Sequence, residues 1–598
     1  MDRRSLSTRR YRMKPAVARF VDGRLFSPNF NDYYAARDPV AETVHVHIQP
    51  AKLVDRMSRA KTFTIFEFGF GAGINFLTTG AEFLKHADSN ARLRFISCEA
   101  FPLPSTLISE AHVITSIDRT LSQRFLDYYP PMISGIYRRL FASDQVELTL
   151  IFTDVKTALN EFIEQDSVGV DAWILDGFAP DRNPEMWDTE LFSIMARCTK
   201  PNGTVTSFSS ASDVRRSLER NGFSVRRIEG TPFKRHTILG TLKKTGLSVP
   251  EPPTKITVVG GGFAGTATAR AFARRGVQVR LLTPTGTVGN ATSGIPTAVL
   301  HPRLSASMDV APYFRTQTYF FSAALKSYSH LTASTGAVQL TSKNMTTSRL
   351  KDISNILDEK WAQWIDTDDL SDLTGIKHDH DATFFPKSFV IEGEKFCQSL
   401  TEHPSIDVVA QELAEPILDE RAIYATGSTS ILCDLAHSWE VLTIEGQLDM
   451  FTHANESAVP RQVLIQDGYV VPNQSVCKVG STYEYTKWEP GLATSRNLEK
   501  LHAVTKWKDW THKGSFRGQR TVTSDKLPIV GQISPYTWVN LAHGSAGTAS
   551  TPYCAEILVS QYMGELAPLW LECIDQIHPN RFSKRQVRRP NPLQHYRR

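Results

Sequence analysis

No uninterrupted apolar run of membrane-spanning length is present, so no transmembrane helix and no membrane partner are expected. No long polar low-complexity tract is present either, which excludes a mostly disordered chain. A repeat of solenoid period is also missing, so a stacked-repeat architecture is excluded. The seven cysteines (Cys98, Cys198, Cys397, Cys433, Cys477, Cys554 and Cys573) include no close pair and no metal-ligand spacing. Reduced, buried thiols in a cytoplasmic protein without a bound metal are the expectation. The N-terminus, Met1-Asp2-Arg3-Arg4, is basic, but no apolar stretch follows it and no secretory signal is expected.

Net charge is small as well. A formal +5 over 598 residues permits a polyanionic partner without demanding one. Its placement is uneven: Arg3, Arg4, Arg9, Arg10, Arg12 and Lys14 crowd one end, and Arg581, Lys584, Arg585, Arg588, Arg589, Arg597 and Arg598 the other. Such ends are either solvated tails or phosphate-binding patches.

With 41% hydrophobic and 22% charged residues, the chain has the composition of a globular protein. Its length exceeds what one hydrophobic core supports, so two or three domains are expected. The stretch TGLSVPEPPTK (245–255) holds three prolines and sustains neither a helix nor a central strand. Before it, strand-like runs (Phe63–Phe68, Arg92–Ser97, Ala172–Leu175) alternate with helical stretches such as Ile74–His86. After it the rhythm restarts with a strand at Ile256–Val259, a helix at Ala264–Arg275 and a strand at Val277–Leu282. The division is therefore a domain over residues 1–246, a linker over 247–255 and a second domain over 256–598, each domain built on parallel α/β units.

In the first domain, Glu67-Phe68-Gly69-Phe70-Gly71-Ala72-Gly73 follows an apolar strand and opens a helix. Glycines remove every Cβ from such a turn and let backbone touch a ligand at the sheet's carboxyl edge, although the same turn also occurs for purely structural reasons. The spacing is GxGxG, not the GxGxxG of a pyrophosphate cradle, and suits a ligand without phosphate such as S-adenosyl-L-methionine. Glu99 ends the next strand, where a carboxylate can accept two ribose hydroxyls, and Asp154 ends another with a group suited to an adenine amine. Asp176 ends a fourth strand beside the place of the sulfonium. There it either orients an amine nucleophile and takes its proton, or is a turn carboxylate.

EFGFGAGINFL, RFISCEAFPL, VDAWILDGFAPDRNPEMW, the early FNDYY (Phe30–Tyr34) and SFSSASDVRRSLERNGF (Ser207–Phe223) closely resemble the methyltransferase half of the MnmC family of bifunctional tRNA wobble-uridine modification proteins. That resemblance implies methylation of the aminomethyl nitrogen on carbon 5 of the wobble uridine. Glu67, Gly69, Gly71, Gly73, Glu99 and Asp154 would line the S-adenosyl-L-methionine site, and Asp176 would face the acceptor amine.

The second turn, Gly260-Gly261-Gly262-Phe263-Ala264-Gly265, is a GxGxxG between a strand and a helix, with amides placed for a pyrophosphate. The acidic residue expected after the following strand is replaced by Thr283. Ala425-Thr426-Gly427 could return backbone to the cofactor. His543-Gly544-Ser545-Ala546-Gly547-Thr548 opens a second helix whose amides could face the flavin ring, which selects FAD over a nicotinamide cofactor. His301 and His543 are not assigned a catalytic role, because hydride transfer from a neutral amine needs no base.

These strings resemble the D-amino-acid and glycine oxidase flavoproteins, and more closely the oxidoreductase half of the MnmC family. The resemblance implies FAD contacts from Gly260, Gly262, Phe263, Gly265, Ser293, Gly294, Gly427, Gly544, Ser545, Gly547 and Thr548. It also implies that Arg520 binds the substrate carboxylate; a buried structural ion pair is the other reading of Arg520. Ile295, Pro296 and Ala546 depart from the family's usual polar residues. The implied architecture is α/β and α+β: a Rossmann-like methyltransferase domain fused to a D-amino-acid-oxidase-like FAD domain with a mixed-sheet substrate subdomain. Its implied partner is tRNA, entered at the anticodon loop. A small-molecule glycine or sarcosine oxidase fused to an amine N-methyltransferase is the alternative function, and oligomeric state is left open.

Overall fold

The computed structural model describes residues 12–167, 169–229, 235–243, 251–304, 309–325, 332–343, 345–417, 419–428, 430–432, 436, 438–589 and 591–593. Arg3, Arg4, Arg9, Arg10, Arg597, Arg598, Cys433 and residues 247–250 of the linker lie outside these. Two compact units emerge: one holds Thr8–Pro252 together with Ser560–Leu571, the other Pro253–Val559 with Glu572–Arg598.

In the first unit a small antiparallel sheet, β1 (Arg19–Val21), β2 (Arg24–Ser27) and β3 (Asp32–Tyr33), precedes an eight-stranded one. The strands of the latter are β4 (Thr62–Phe68), β5 (Arg92–Glu99), β6 (Gly135–Phe141), β7 (Val146–Phe152), β8 (Val170–Leu175), β9 (Thr199–Ser207), β10 (Phe223–Glu229) and β11 (His236–Leu242). Their order is β10-β11-β9-β8-β4-β5-β7-β6. Strand β4 pairs in parallel with β5 on one side and β8 on the other. The strand order therefore reverses at β4, and the carboxyl ends of β4, β5 and β8 border a crevice, the usual ligand position in such sheets. Phe63, Ile65, Phe66 and Phe68 of β4 are all buried, as a strand covered on both faces requires. Each contributes about 1.5–3 kcal/mol relative to exposure. The helix Ile74–His86 follows with the bounds expected from its pattern.

Ser560–Leu571, expected within the C-terminal domain, belongs to this first unit. Arg92 and Arg94 of β5 and Arg138 of β6 carry buried guanidiniums toward Glu147 of β7. Glu565 supplies a second carboxylate, 3.0 Å from Arg92. Arg138 also donates to Ser560 Oγ (2.7 Å) and to the Leu566 carbonyl. Gln165 donates to the Leu569 carbonyl (2.8 Å) and accepts from the Ala567 amide (2.8 Å). Three buried cations beside one glutamate would be costly, and a second carboxylate arriving from far along the chain relieves that cost.

The second unit holds two sheets. The first contains β12 (Lys255–Val259), β13 (Gln278–Thr283), β18 (Ile406–Ala410), β19 (Ala422–Tyr424), β25 (Ile529–Gln532) and β26 (Thr537–Leu541), ordered β18-β13-β12-β19-β26-β25. All pairs are parallel except β25 with β26. Its order reverses at β12, so the GxGxxG turn again occupies a switch point. The second is a mixed sheet of β14 (Ala298–Leu300), β15 (Thr332–Gln339), β16 (Gln363–Ile365), β17 (Ala382–Ile391), β20 (Val441–Thr452), β21 (Leu464–Ile465), β22 (Tyr469–Asn473), β23 (Val476–Gly480) and β24 (Thr511–Thr523).

Within the basic C-terminal end, Arg581 and Arg585 are paired inside this unit and are not part of a solvated tail. Arg581 is buried against Asp525 at 2.9 Å. Arg585 reaches both Asp525 (2.5 Å) and Glu440 (3.3 Å). Against the upward push of burial, these arginines hold the Asp525 carboxyl well below the usual carboxylate range. Among the described residues, Cys98, Cys198, Cys397, Cys477, Cys554 and Cys573 are buried, and no helix is long and apolar enough to cross a membrane.

Candidate functional site

At the switch point of the first unit, Gly69 has φ +84°, and a Cβ there would stand 3.0 Å from the Asp176 carbonyl. Only glycine takes that backbone conformation at little cost while strand β8 ends so close. Glu99 ties the turn down: its Oε2 accepts from the Phe70 and Gly71 amides (3.1 Å each), and its Oε1 from the Phe101 amide (2.9 Å). Burial raises the Glu99 carboxyl, and these amides oppose the rise.

Glu67 lies beneath the turn and is fully buried, so its carboxylate does not face the crevice. It accepts from Ser97 Oγ (2.6 Å) and Asn75 Nδ2 (2.9 Å). The same Asn75 nitrogen donates to Asp176 Oδ2 at 2.6 Å, and Asn75 Oδ1 accepts from Thr43 Oγ1 at 2.6 Å. Burial first, then the charges of Asp176 and Glu99, push the Glu67 carboxyl well above its ordinary range. Asn75 therefore links the buried carboxyl to the half-buried one. Two sites after the third glycine on a helix start, its position could have signalled this role. Asp154 caps the helix Val155–Glu164, its two oxygens accepting from the Thr157 amide (2.9 Å) and hydroxyl (2.7 Å), which leaves its outer lone pairs for a ligand.

Aromatic side chains flank the turn. Phe30 and Phe178 stack with centroids 4.3 Å apart, Tyr34 meets Phe178 edge-on, and Phe101 meets Phe30 edge-on. Tyr34 Cδ1 stands 3.5 Å from where a Gly71 Cβ would be. The string DGFAPDRNPEMW folds on itself: Met186 lies against Gly177, and the Trp187 indole donates to the Phe178 carbonyl (3.1 Å). Tyr34 and Phe30 come from the early FNDYY string, which carried no chemistry by itself. The Glu99 and Asp176 carboxyls and an aromatic face at one glycine turn suit a cationic sulfonium ligand, so the residues present fit S-adenosyl-L-methionine.

In the second unit a cavity of about 1230 Å³ is lined by Gly260, Gly262, Phe263, Ser293, Gly427, Gly544, Ser545, Gly547, Thr548 and Arg520. Gly265 and Gly294 do not line it. A Cβ on Gly265 would fall 1.7 Å from the Gly260 carbonyl oxygen, and one on Gly294 would fall 2.3 Å from that of Gly289. Both therefore shape the cavity by close backbone packing. The Phe263 amide, at the helix start, donates to Ser293 Oγ at 3.0 Å. Thr283 stands where the acidic residue was missed; its Oγ1 is buried with no hydrogen-bond partner among the described residues, and its residue borders the cavity. Glu412, beyond the end of the adjacent β18, borders it too. An orphaned hydroxyl, a glycine cradle and amides from two helix starts fit a flavin dinucleotide.

Arg520 on β24 donates to Ser481 Oγ (3.0 Å) and to the Thr482 carbonyl, and its guanidinium lies 4.5 Å from the Tyr483 ring centroid. Among the described residues no carboxylate forms an ion pair with it, so the buried ion-pair reading has no support. Arg303, also on the cavity wall, donates to Ser545 Oγ at 3.2 Å. Burial alone would raise the Tyr483 phenol; the charges of Arg303 and Arg520 and hydrogen bonds to Ser545 and Arg303 lower it instead. Tyr469, Ser481 and Tyr483 were not foreseen, because nothing local marks a tyrosine that a neighbouring strand brings to the cavity. Burial holds the His301 and His543 imidazoles at about 3, neutral and weakly basic.

Comparison with known proteins agrees with this geometry. The S-adenosyl-L-methionine-dependent methyltransferase family matches residues 118–243, downstream of the first turn and including Asp154 and Asp176. The FAD dependent oxidoreductase family matches residues 255–561, more than half of the chain. Curated relatives match nearly end to end. The tRNA 5-methylaminomethyl-2-thiouridine biosynthesis bifunctional protein MnmC of Chromobacterium violaceum is 29% identical, covering 95% of this chain and 97% of its own. Those of Methylobacillus flagellatus (95% and 95%) and Hydrogenovibrio crunogenus (96% and 96%) are each 28% identical. The chain belongs to the FAD dependent oxidoreductase family and carries an S-adenosyl-L-methionine-dependent methyltransferase domain ahead of it.

Proposed function

We propose that this protein is a bifunctional tRNA modification enzyme of the cytoplasm, acting on the wobble uridine in the anticodon loop. In the second unit, carboxymethylaminomethyl(-2-thio)uridine loses its carboxymethyl group. In the first, the aminomethyl product gains one methyl. The observation that carries the reading is Arg520, a cavity-lining guanidinium that has no carboxylate partner among the described residues and stands beside a flavin-type cradle. The names of its near full-length relatives support the same reading.

Bound FAD supplies a two-electron acceptor for the C–N bond of the secondary amine. Arg520 holds the substrate carboxylate bidentately, which places the carbon between carboxylate and nitrogen for oxidation. Loss of two electrons and two protons from that C–N unit leaves an imine. Water adds to the imine carbon, the C–N bond breaks, and glyoxylate leaves a primary aminomethyl group on the base. In the first unit Asn75 fixes the Asp176 carboxylate at the crevice, where it orients the neutral amine and takes the proton released as nitrogen gains the methyl. Asp154 and Glu99 would hold the adenosine end of S-adenosyl-L-methionine, and Thr283 would be among the residues holding FAD. A wobble base is unpaired and splays into either pocket without melting a duplex.

The test uses purified protein and tRNA bearing the carboxymethylaminomethyl group, with mass spectrometry of the digested nucleosides. Conversion to the aminomethyl form without S-adenosyl-L-methionine, and to the methylated form with it, is expected. An unchanged carboxymethyl group would sink the reading. Peroxide from free glycine with no change in tRNA would replace it with the small-molecule oxidase.

A further inference from the structure

Beside the cofactor cavity lies a second pocket of about 420 Å³, lined by Trp488, Val504, Arg496, Glu499 and Lys500 and sharing Asp467, Tyr469, Ser481 and Tyr483 with the larger cavity. Tyr483 is a fixed partition between the two. Its ring lies over the Arg520 guanidinium, Arg303 and Ser545 tether its phenol, and 40% of its surface stays exposed. Lys500 donates to the Ser481 carbonyl (2.9 Å) and Asn497 Oδ1 (3.1 Å), which leaves one ammonium hydrogen for an incoming acceptor. Arg496 is half exposed at the rim, paired with Glu499 at 2.9 Å.

We infer that this pocket receives the nucleotide next to the target uridine, its base stacked on Trp488 and its phosphate side met by Lys500. The inference rests on the tRNA reading above. Three features argue for that occupant over an amino acid or a second protein. The pocket is of single-nucleotide size. Its walls set an aromatic face, Trp488, beside Lys500, with Arg496 paired to Glu499 and Asp467 also on the wall, and an aromatic face next to a cation holds unpaired bases irrespective of sequence. It also shares a wall with the cavity holding Arg520, as it must, because one phosphodiester joins neighbouring nucleotides.

The experiment compares holoenzyme and its Trp488→Ala and Trp488→Phe variants on two substrates. One is an anticodon stem-loop with the carboxymethylaminomethyl uridine and 2-aminopurine beside it; the other is the free modified nucleoside. Stacking predicts quenched 2-aminopurine fluorescence in the wild type. In Trp488→Ala the quench is lost and KM for the stem-loop rises about 10-fold with little change in kcat. The rise for the nucleoside is far smaller, and Trp488→Phe restores most of the quench. An unquenched wild type, or equal impairment on both substrates, overturns the subsite alone. A wild type that leaves the stem-loop unconverted overturns the tRNA reading itself.

Discussion

Around Gly69 the crevice carries the carboxyls Glu99 and Asp176, whereas the walls beyond Gly260 carry four arginines, Arg303, Arg315, Arg349 and Arg520, against two carboxyls, Glu412 and Asp467. Both turns sit at the switch point of a parallel sheet, and both free the backbone with glycine. They differ in what surrounds the turn. Carboxyls favour the positive sulfonium and the cation formed as an amine is methylated, while guanidiniums favour pyrophosphate and carboxylate. Backbone geometry fixes where a ligand lies, and side-chain charge decides which ligand it is.

The largest break in this comparison comes from the backbone. Gly265→Ala would drive a Cβ into the Gly260 carbonyl and should abolish FAD uptake. Gly71→Ala meets only the Tyr34 ring at 3.5 Å and pays backbone strain of about 1–2 kcal/mol, so S-adenosyl-L-methionine should bind roughly 10-fold more weakly. Visible absorption checks the first and titration calorimetry the second; a yellow Gly265→Ala protein would refute the cradle. Next in size, Asp176→Asn should slow methylation of ready-made aminomethyl tRNA by about 10²–10⁴-fold while S-adenosyl-L-methionine still binds. Normal single-turnover rates would remove Asp176 from the chemistry. Somewhat smaller, Arg520→Ala should lower kcat/KM for oxidation on the order of 10²-fold, from losing one partner of a buried charge pair. Methylation of aminomethyl tRNA by that variant should match wild type, and a parallel loss would break the separation of the two sites.

Much of this was legible in sequence because it is local. Glycine spacing and apolar runs place both turns, the helix Ile74–His86 and the strand ends at Glu99 and Asp176. What escaped depends on residues far apart in the chain. Asn75 matters only because Asp176, on another strand, comes within 2.6 Å of it. Gly265 looked like a cofactor contact, and its packing against Gly260 appears only once strand and helix are docked. Arg581 and Arg585 read as part of a loose basic end because their partners, Asp525 and Glu440, lie well upstream.

Ser560–Leu571 has a consequence for how the protein is made. When the ribosome has finished the first unit's eight strands, Arg92 and Arg94 still lack Glu565, and Arg138 still lacks Ser560, both of which emerge close to the end of synthesis. The methyltransferase portion therefore completes its interior only after the oxidoreductase portion has been translated. A gene divided at the proline-rich stretch would yield a first fragment missing part of its own core.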